Sequence, residues 1–365
     1  MAGVLALAGC AKDSGTSGSN NNANAAGSCV TGTAPTATAG ATSSSAAGAK
    51  PDASSMRVGL SFDIGGRGDA SFNDAAAGGV DKAKTDFGIK DVNESTAGAN
   101  EDEAAKEQRL TQQATNGYNP IIAVGFAYAD AVKAVAPKFP NTKFAIVDDD
   151  SITAPNVTPL VFSEEQGSFL VGVAAVYKSK NCHIGFVGGV NTPLIQKFQA
   201  GYEQGARTAS NKVVIEKDYL TPAGDFTGFQ DPAKGNVVAA SEISKGADVV
   251  YQAAGASGKG VFEAAKSSGA LAIGVDSDQY NQATVAASKD VIITSMLKRV
   301  DVAVYDYLAA VATNNLGTVP KRFDLKVQGV GYATSGGKID DIVPVLEGYK
   351  SDLISGKITV DTTPK

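Results

Sequence analysis

The chain has 365 residues, of which 43% are hydrophobic and 19% charged, and its formal net charge is -6. A chain of this length is too long for one small domain and predicts two α/β domains. The acidic balance supplies no positive field for phosphate backbones, so no nucleic-acid partner is predicted. The single histidine, His183, has no second imidazole nearby in sequence, so a packing or surface role is favoured over a catalytic or metal-binding one, and no cofactor or metal is predicted.

The first ten residues contain a short apolar stretch, VLALAG at 4–9, that ends in small residues directly before Cys10. This arrangement resembles the lipobox of bacterial lipoproteins, in which the cysteine carries a diacylglyceryl group. The resemblance implies a signal segment over 1–10 and a lipid anchor on the extracytoplasmic face of the cell membrane, because two or more acyl chains give durable anchoring. The alternative is an ordinary short signal-peptide core or a chance cysteine.

Residues 11–55 are dominated by Ser, Gly, Ala, Thr and Asn. Such a segment buries too little apolar surface to offset chain entropy, which predicts a disordered tether with the folded part beginning near Met56. Cys29 lies in this tether and Cys182 in the predicted body. A disulfide between them is one possibility in an oxidising compartment, and two free thiols are the other, because sequence does not show whether they approach each other.

From Met56 onward, strand and helix signals alternate. A buried strand over 57–62 is followed by glycines and by a capping-box start, Ser71 to Asp74, of the first helix. A helix over 101–116, a strand over 120–124, a helix from Tyr128 and a strand over 143–147 come next. This alternation predicts a parallel, doubly wound sheet.

The alternation starts afresh after residue 150. The pattern predicts strands at 158–162, 184–188, 212–216, 248–252 and 271–275, with helices after Ser163 and at 193–208, 232–245 and 258–268. Asp231 and Pro232 form a favourable helix entry. Another strand and helix fall within 290–315, and weaker strands with one helix fall within 323–365. A second α/β lobe is therefore predicted.

Several residues that are unusual for their surroundings come at the carboxyl ends of predicted strands or in the loops that follow, which is where ligands bind in open parallel sheets. The candidate ligand-binding residues are Asp63, Phe72, Asn73, Phe126, Phe229, Gly255, Asp276 and Lys298. Each has a structural alternative: the phenylalanines as core residues, the aspartates as caps or turn residues, and the lysine as a solvated charge at the start of the late helix.

Short motifs in a fixed order carry a family resemblance that covers nearly all of 57–350. They are GLSFDIGG at 59–66, ASFN at 70–73, FPNTKFAIVD at 139–148, IGFVGG at 184–189, GVDSDQ at 274–279 and TSMLKR at 294–299. Together they resemble the basic membrane protein family of solute-binding lipoproteins, which includes purine nucleoside receptors.

The resemblance implies a type I periplasmic binding protein fold, with two Rossmann-like lobes that have parallel sheets and are joined by several crossovers. Lobe 1 would comprise 56–160 plus about 280–325, and lobe 2 would comprise 161–279 plus about 326–365. A purine would be held between Phe72 and Phe229, with Phe226 competing for the second position. Asp63 and Asn73 would meet the edge of the base, and Asp276 and Lys298 the ribose hydroxyls. An ABC transporter permease is the implied partner.

The sequence also bears on alternative functions. A Rossmann-type oxidoreductase is disfavoured because 65–70 lacks the G-x-G-x-x-G spacing, and a P-loop lysine motif and a nucleophile elbow are missing too, so no enzymatic activity is predicted. A binding lipoprotein for a sugar or another small solute, and a surface sensor or adhesin, stay open as alternatives. The sequence does not rank the nucleosides.

Overall fold

A computed structural model describes residues 29–36, 50–99 and 101–365. Its strands are β1 Arg57–Phe62, β2 Asp91–Thr96, β3 Ile121–Ala123, β4 Phe144–Val147, β5 Val157–Leu160, β6 His183–Val190, β7 Val214–Thr221, β8 Val249–Ala253, β9 Leu271–Asp276, β10 Ile292–Lys298 and β11 Val330–Tyr332. Its α-helices are α1 Phe72–Phe87, α2 Glu103–Thr115, α3 Ala129–Val135, α4 Glu164–Lys178, α5 Pro193–Ala209, α6 Pro232–Ser244, α7 Gly258–Ser268, α8 Val300–Ala312 and α9 Val343–Ile354.

The strands form two sheets with the same winding. The first has the order β2-β1-β3-β4-β5, and the second has the order β11-β10-β9-β8-β6-β7. Every pairing between these eleven strands is parallel except that of β11 with β10, as far as the structure describes the chain. Parallel sheets need crossover helices, and these cover the apolar faces of the strands. The predicted α/β class with two mainly parallel sheets is therefore confirmed.

The chain passes between the two lobes three times. Lobe 1 contains the first sheet with α1, α2, α3 and α8, which packs on α1, and lobe 2 contains the second sheet with the remaining helices. Because β10 still pairs with β9, the chain returns to lobe 1 at Arg299 rather than near 280 as expected. The other crossings lie at 161–163 and 323–329, where the backbone N–H of Phe323 donates to Val161 O at 2.8 Å.

The N-terminal cap predicted from the sequence is present in helix α6 but not in helix α1. Asp231 caps α6 as predicted, because its carboxylate accepts the backbone N–H of Lys234 at 2.9 Å. Helix α1 begins at Phe72, as expected, but Ser71 makes no side-chain cap. Instead, the Asp69 carboxylate accepts the backbone N–H groups of the residues at 71, 73 and 74. The capping-box prediction is wrong because the Ser71 hydroxyl has a stronger acceptor elsewhere.

The N-terminal segment is partly attached to the body. Cys29 is bonded to Cys182, a residue 153 positions later, and Cys29 is buried. The backbone N–H groups of Thr31 and Gly32 donate to Ala209 O at 3.0 and 2.9 Å. Residues 29–32 therefore dock on lobe 2, which corrects the prediction of a continuous tether to residue 55. Cys10 lies outside the described residues.

Reduction of the Cys29–Cys182 bond is expected to lower the free energy of unfolding by about 2–4 kcal/mol, because the bond restricts the unfolded chain over a long loop. Urea unfolding with and without a reductant measures this difference. The double variant Cys29→Ala with Cys182→Ala is the control, since its stability should not respond to reductant. Equal unfolding curves for the wild type in both conditions would contradict the prediction.

Lobe 2 contains a buried acid that lies away from the cleft. Glu242 on α6 is fully buried, and within the described residues neither of its carboxylate oxygens has a hydrogen-bond partner. Burial raises its pKa to about 9, with a further contribution from Asp218 and Glu216.

No helix in the described ranges is both long and apolar enough to span a membrane.

Replacing Glu242 by Gln is expected to stabilise the protein at pH 8 by about 1–3 kcal/mol. The folded wild type keeps a proton that the unfolded chain releases, so its stability falls as pH rises from about 4.5 towards 9. Gln carries no proton to lose, and its curve should lack this slope. Urea titrations between pH 5 and 9 measure it, and parallel pH profiles for both proteins would refute the assignment.

Candidate functional site

A cavity lies between the lobes, at the carboxyl ends of the strands. It encloses about 580 Å³ of space between atoms, part of it open to solvent. Ligand pockets are concave and lined mainly by apolar and aromatic groups with a few polar ones. All eight sequence-predicted residues line this cavity: Asp63, Phe72, Asn73, Phe126, Phe229, Gly255, Asp276 and Lys298. Their contacts with a ligand stay a prediction.

Asp63 forms part of the lobe 1 wall, directly after β1. Its carboxylate accepts the backbone N–H of Ile64 at 2.8 Å, and burial raises its pKa to about 6. A side chain at Gly125 would lie 2.6 Å from Asp63 Oδ2, and the backbone there has φ of +106°. Only glycine meets both conditions, and its absent side chain leaves the room that the carboxylate occupies.

The Asn73 side chain is hydrogen-bonded mainly within this wall of lobe 1, which leaves it little hydrogen-bonding capacity for a ligand. Its Oδ1 accepts the backbone N–H of Asp63 at 3.0 Å, and its Nδ2 donates to Ile64 O at 3.2 Å and to Asp69 Oδ2 at 3.1 Å. Both amide hydrogens are thus used within the protein, and one acceptor lone pair remains. The predicted role at the edge of a base is therefore limited to accepting one hydrogen bond.

The two predicted aromatic platforms come from opposite lobes. Phe72 opens α1 in lobe 1, and Phe229 ends a short 3-10 turn in lobe 2; both are half-buried. A side chain at Gly189 would lie 2.4 Å from the Phe229 ring. The ring therefore fits in this position because residue 189 of β6 is a glycine. Phe226 instead packs edge-on against Phe126 of lobe 1, with 5.7 Å between ring centroids. Of the two competing rings, Phe229 lines the cavity.

Lys298 occupies a different position from the one expected. It ends β10 instead of beginning the late helix, and at 2% exposed it is buried, which rules out the alternative of a solvated charge. Its Nζ lies 2.6 Å from Asp148 Oδ2 and 3.6 Å from Glu164 Oε1. Asp276 is a more distant charge. The direct ion pair is with Asp148, and this pair joins lobe 1 to lobe 2.

Asp148, Glu164 and Asp276 lie around Lys298, and Lys197 Nζ lies 3.6 Å from Glu164 Oε2. Burial raises the pKa of Asp148 to about 7 and also raises that of Asp276, although Lys298 opposes both shifts. Burial would lower the pKa of Lys298, but the charges of Asp148, Glu164 and Asp276 outweigh it and raise that pKa. The lysine is therefore the group that keeps its charge. Within the described residues, Asp148 Oδ1 and Glu164 Oε2 lack a hydrogen-bond partner and have capacity to accept one.

Sequence reasoning missed some of the residues around the cavity. Asp148 directly follows β4 and Asp276 ends β9, with φ values of +70° and +62°, so the rule that selects acids at strand ends also applies to Asp148. The sequence predicts Ser71 as a helix cap, but its hydroxyl donates to Asp276 Oδ2 at 2.5 Å. Apolar residues that gave no signal in the sequence also line the cavity: Ile64, Leu194, Ile195, Phe198, Ala253, Ala256 and Val275.

Two α/β lobes, three crossings and a polar and aromatic cavity between the lobes define a two-lobe solute-binding protein. The profile of the family of PnrA-like ABC transporter substrate-binding proteins matches residues 56–362. The chain belongs to this family.

Individual relatives agree with this assignment. A CD4+ T-cell-stimulating antigen of Listeria monocytogenes is 34% identical, over 84% of this chain and 88% of that protein. The ABC transporter nucleoside-binding protein BmpA of Lactococcus lactis is 30% identical, over 84% of this chain and 89% of that protein. An uncharacterised lipoprotein of Pyrococcus horikoshii is 33% identical, over 80% of this chain and 75% of that protein.

Among solved structures, an ABC transporter solute-binding protein of Aeropyrum pernix is similar, with a TM-score of 0.72 and 28% identity. The similarity covers 85% of this chain and 94% of that one. The fold is therefore that of the solute-binding proteins of ABC systems, and the predicted family is confirmed.

Proposed function

We propose that this chain captures a purine nucleoside between its lobes and delivers it to the permease of an ABC importer. The observation that carries the proposal is the meeting of Phe72 and Phe229, from opposite lobes, at one cavity that also contains three buried aspartates. A purine has two apolar faces and a polar edge, and a nucleoside adds hydroxyls. The aromatic rings of the cavity would stack on the apolar faces of the base, and its carboxylates would accept hydrogen bonds from the polar edge and the hydroxyls.

The aromatic pair favours a flat ligand. Stacking a base on an aromatic side chain contributes about 1–3 kcal/mol per base. Lys298 Nζ lies 4.9 Å from the centroid of the Phe72 ring, which is within the range of a cation–π interaction that holds the ring in place. Because one ring belongs to each lobe, both reach the ligand only when the lobes are closed, and ligand therefore stabilises the closed state.

The acids favour a hydroxylated ligand. A carboxylate accepts two vicinal hydroxyls at once, and each charge-assisted hydrogen bond contributes about 1.5–3 kcal/mol. Asp276 is suited to this role, since it is 7% exposed and faces the cavity, and Lys298 supplies a nearby positive charge. Asp63 at the other end of the wall would accept a hydrogen bond from the base. The name of the Lactococcus lactis relative includes nucleoside binding.

The transport role follows from the family, and a lipid anchor on Cys10 would keep the protein beside its permease on the extracytoplasmic face. The name of the Pyrococcus horikoshii relative includes the word lipoprotein. No catalytic step is proposed, because a binding protein needs only closure and release. A sugar-binding or sensory lipoprotein with the same fold is the alternative that the experiment below distinguishes.

Calorimetry with the soluble chain from residue 11 onward tests the ligand class. The protein is first unfolded and refolded to remove co-purified solute. Inosine, guanosine and adenosine are expected to bind, free bases more weakly because no hydroxyls reach Asp276, and ribose more weakly still because no ring is stacked. Binding of a sugar with no response to any nucleoside would overturn the proposal.

Replacing Phe72 by Ala is expected to weaken inosine binding about 10-fold or more, since one stacking contact is lost. The fold should survive, because the ring is half-buried at the cavity wall. Phe226→Ala is the matched control: Phe226 packs on Phe126 instead of lining the cavity, so its effect on affinity should be smaller. Calorimetry of both variants decides between the two rings, and an unchanged affinity for Phe72→Ala would refute the stacking assignment.

A further inference from the structure

The lobes touch at a second place, beside the cavity but not lining it. The carbonyl oxygen of Ala70, in the loop between β1 and α1 of lobe 1, accepts hydrogen bonds from two side chains of lobe 2. Ser277 Oγ donates to it at 2.9 Å and Gln279 Nε2 donates at 3.0 Å. Ala70, Ser277 and Gln279 are missing from the cavity lining, so their contact forms without any ligand atom.

The lobe 2 side of this contact is fixed in orientation. Gln279 is 1% exposed, and its Oε1 accepts from the backbone N–H of Val275 at 2.8 Å and from Gln252 Nε2 at 2.8 Å. A backbone N–H only donates, so the side-chain oxygen must face Val275 and the amino group must face Ala70. Gln252 Oε1 in turn accepts the backbone N–H of Ala254 at 3.0 Å, next to Gly255 in the cavity wall.

The lobe 1 side is held by hydrogen bonds within its own loop and helix start. Ala70 has φ of +58°, a conformation that residues other than glycine adopt infrequently. Asp74 Oδ2 accepts its N–H at 2.9 Å, and Asp69 Oδ1 accepts the next N–H at 2.8 Å. These bonds orient the Ala70 carbonyl towards lobe 2, and the neighbouring Ser71 hydroxyl adds a hydrogen bond across the lobes to Asp276 Oδ2 at 2.5 Å.

Apolar packing adds to the hydrogen bonds. Ala70 is 2% exposed and belongs to a buried cluster whose other members come from lobe 2 or the segment before β10, including Phe262, Ala272 and Val285. A small methyl group from one lobe is thus buried in the other. This burial is lost when the lobes separate, and so are both hydrogen bonds to the carbonyl.

We propose that the contact of Ala70 with Ser277 and Gln279 is a latch that holds a fraction of the ligand-free protein closed and so tunes affinity for any solute. Gln279 and Ser277 are positioning residues here, since they act on the lobes and not on the ligand. Ligand binds the closed state. Weakening the latch reduces the fraction of closed protein, and this lowers the apparent affinity by the same factor for every ligand. The proposal rests on the two-lobe fold and not on the nucleoside assignment.

The test measures the distance between the lobes without ligand. Spin labels are attached at two exposed positions near the cleft, Asp130→Cys in lobe 1 and Lys259→Cys in lobe 2, in protein refolded from denaturant and shown by mass spectrometry to carry no solute. Double electron–electron resonance then gives the distribution of distances. A short-distance closed population is expected in the wild type, and a distribution that is entirely open would overturn the proposal.

Two variants weaken the latch from different sides. Ala70→Asn keeps a residue that tolerates positive φ but places an amide in the apolar cluster of lobe 2, and Ser277→Ala removes one donor. Each is expected to lower the ratio of closed to open protein about five- to tenfold, the effect of one lost hydrogen bond or more. Ala104→Asn, at an exposed position of α2, is the matched control and should leave the distribution unchanged.

A second readout separates a latch from a general loss of structure. The affinity for inosine should fall by the same factor as the closed population, while the thermal unfolding temperature of Ser277→Ala stays near that of the wild type. Distances unchanged in both variants would refute the latch. If inosine does not bind at all, the distance distributions alone still decide, so failure of the nucleoside assignment is distinguishable from failure of the latch.

Discussion

Replacing Lys298 by Met is expected to lower the free energy of unfolding at pH 8 by about 3–5 kcal/mol, because breaking a buried ion pair leaves uncompensated charge in the interior. Lys298 is 2% exposed and lies 2.6 Å from Asp148 and 3.6 Å from Glu164. Met has a similar length, so the loss would come from charge and not from a cavity. Urea unfolding at pH 8 measures it.

The pH dependence of this deficit has a definite sign. Without the lysine, burial would raise the pKa of Asp148 and Asp276 further above their unfolded values. The folded variant then binds protons that the unfolded chain has released, and its stability falls as pH rises above about 4. The deficit relative to wild type should therefore shrink between pH 8 and pH 5. Lys259→Met, at an exposed position, is the control, and an equal deficit for both variants would contradict the ion-pair account.

Rules based on local sequence predicted several of the residues that line the cavity. Asp63 and Asp276 were found because acids that end buried strands meet at one edge of a parallel sheet, and both line the cavity. Phe72, Phe229 and Lys298 were candidates by their place after predicted strands or at helix starts, but a phenylalanine there is also compatible with a core residue and a lysine with a solvated charge. Their assigned roles needed the family resemblance, and their common place at one cavity is consistent with it.

Features that depend on distant partners were not predictable. Strand β2, with the sequence DVNEST, was missed because it is a partly exposed edge strand without an apolar run. Strand β10 belongs to lobe 2 because it pairs with β9, and the sequence of an apolar strand does not show which sheet the strand joins. The bond between Cys29 and Cys182 likewise joins residues 153 positions apart. In each case, the deciding contact lies outside any sequence window.

The cluster around Lys298 suggests a conflict between stability and binding. Asp148, Glu164 and Asp276 lie around one buried lysine, and burial raises the pKa of Asp148 and of Asp276, so ionising both aspartates in the ligand-free protein is costly. A second lysine, Lys197, lies 3.6 Å from Glu164 Oε2. A solute that donates hydroxyl hydrogens to the aspartates would offset the cost of their ionisation. Asp276 should then matter greatly for affinity while contributing little to stability or opposing it.

Replacing Asp276 by Asn is therefore expected to weaken inosine binding about 100-fold or more, because charge-assisted hydrogen bonds of about 1.5–3 kcal/mol each become neutral ones or are lost. The free energy of unfolding should stay the same or rise, since one of three buried acids is removed. Calorimetry and urea unfolding measure the two effects separately.

The ligand supplies the matched control for Asp276→Asn. The wild type should bind inosine much more tightly than 2′,3′-dideoxyinosine, which lacks the hydroxyls that Asp276 would accept, and the variant should bind the two with similar affinity. Such a cycle isolates the interaction between carboxylate and hydroxyls from general effects of the substitution. If the variant discriminates between the two ligands as strongly as the wild type does, Asp276 does not bind the ribose. The carboxylate to replace next is then Asp148, whose Oδ1 has no hydrogen-bond partner among the residues that the structure describes.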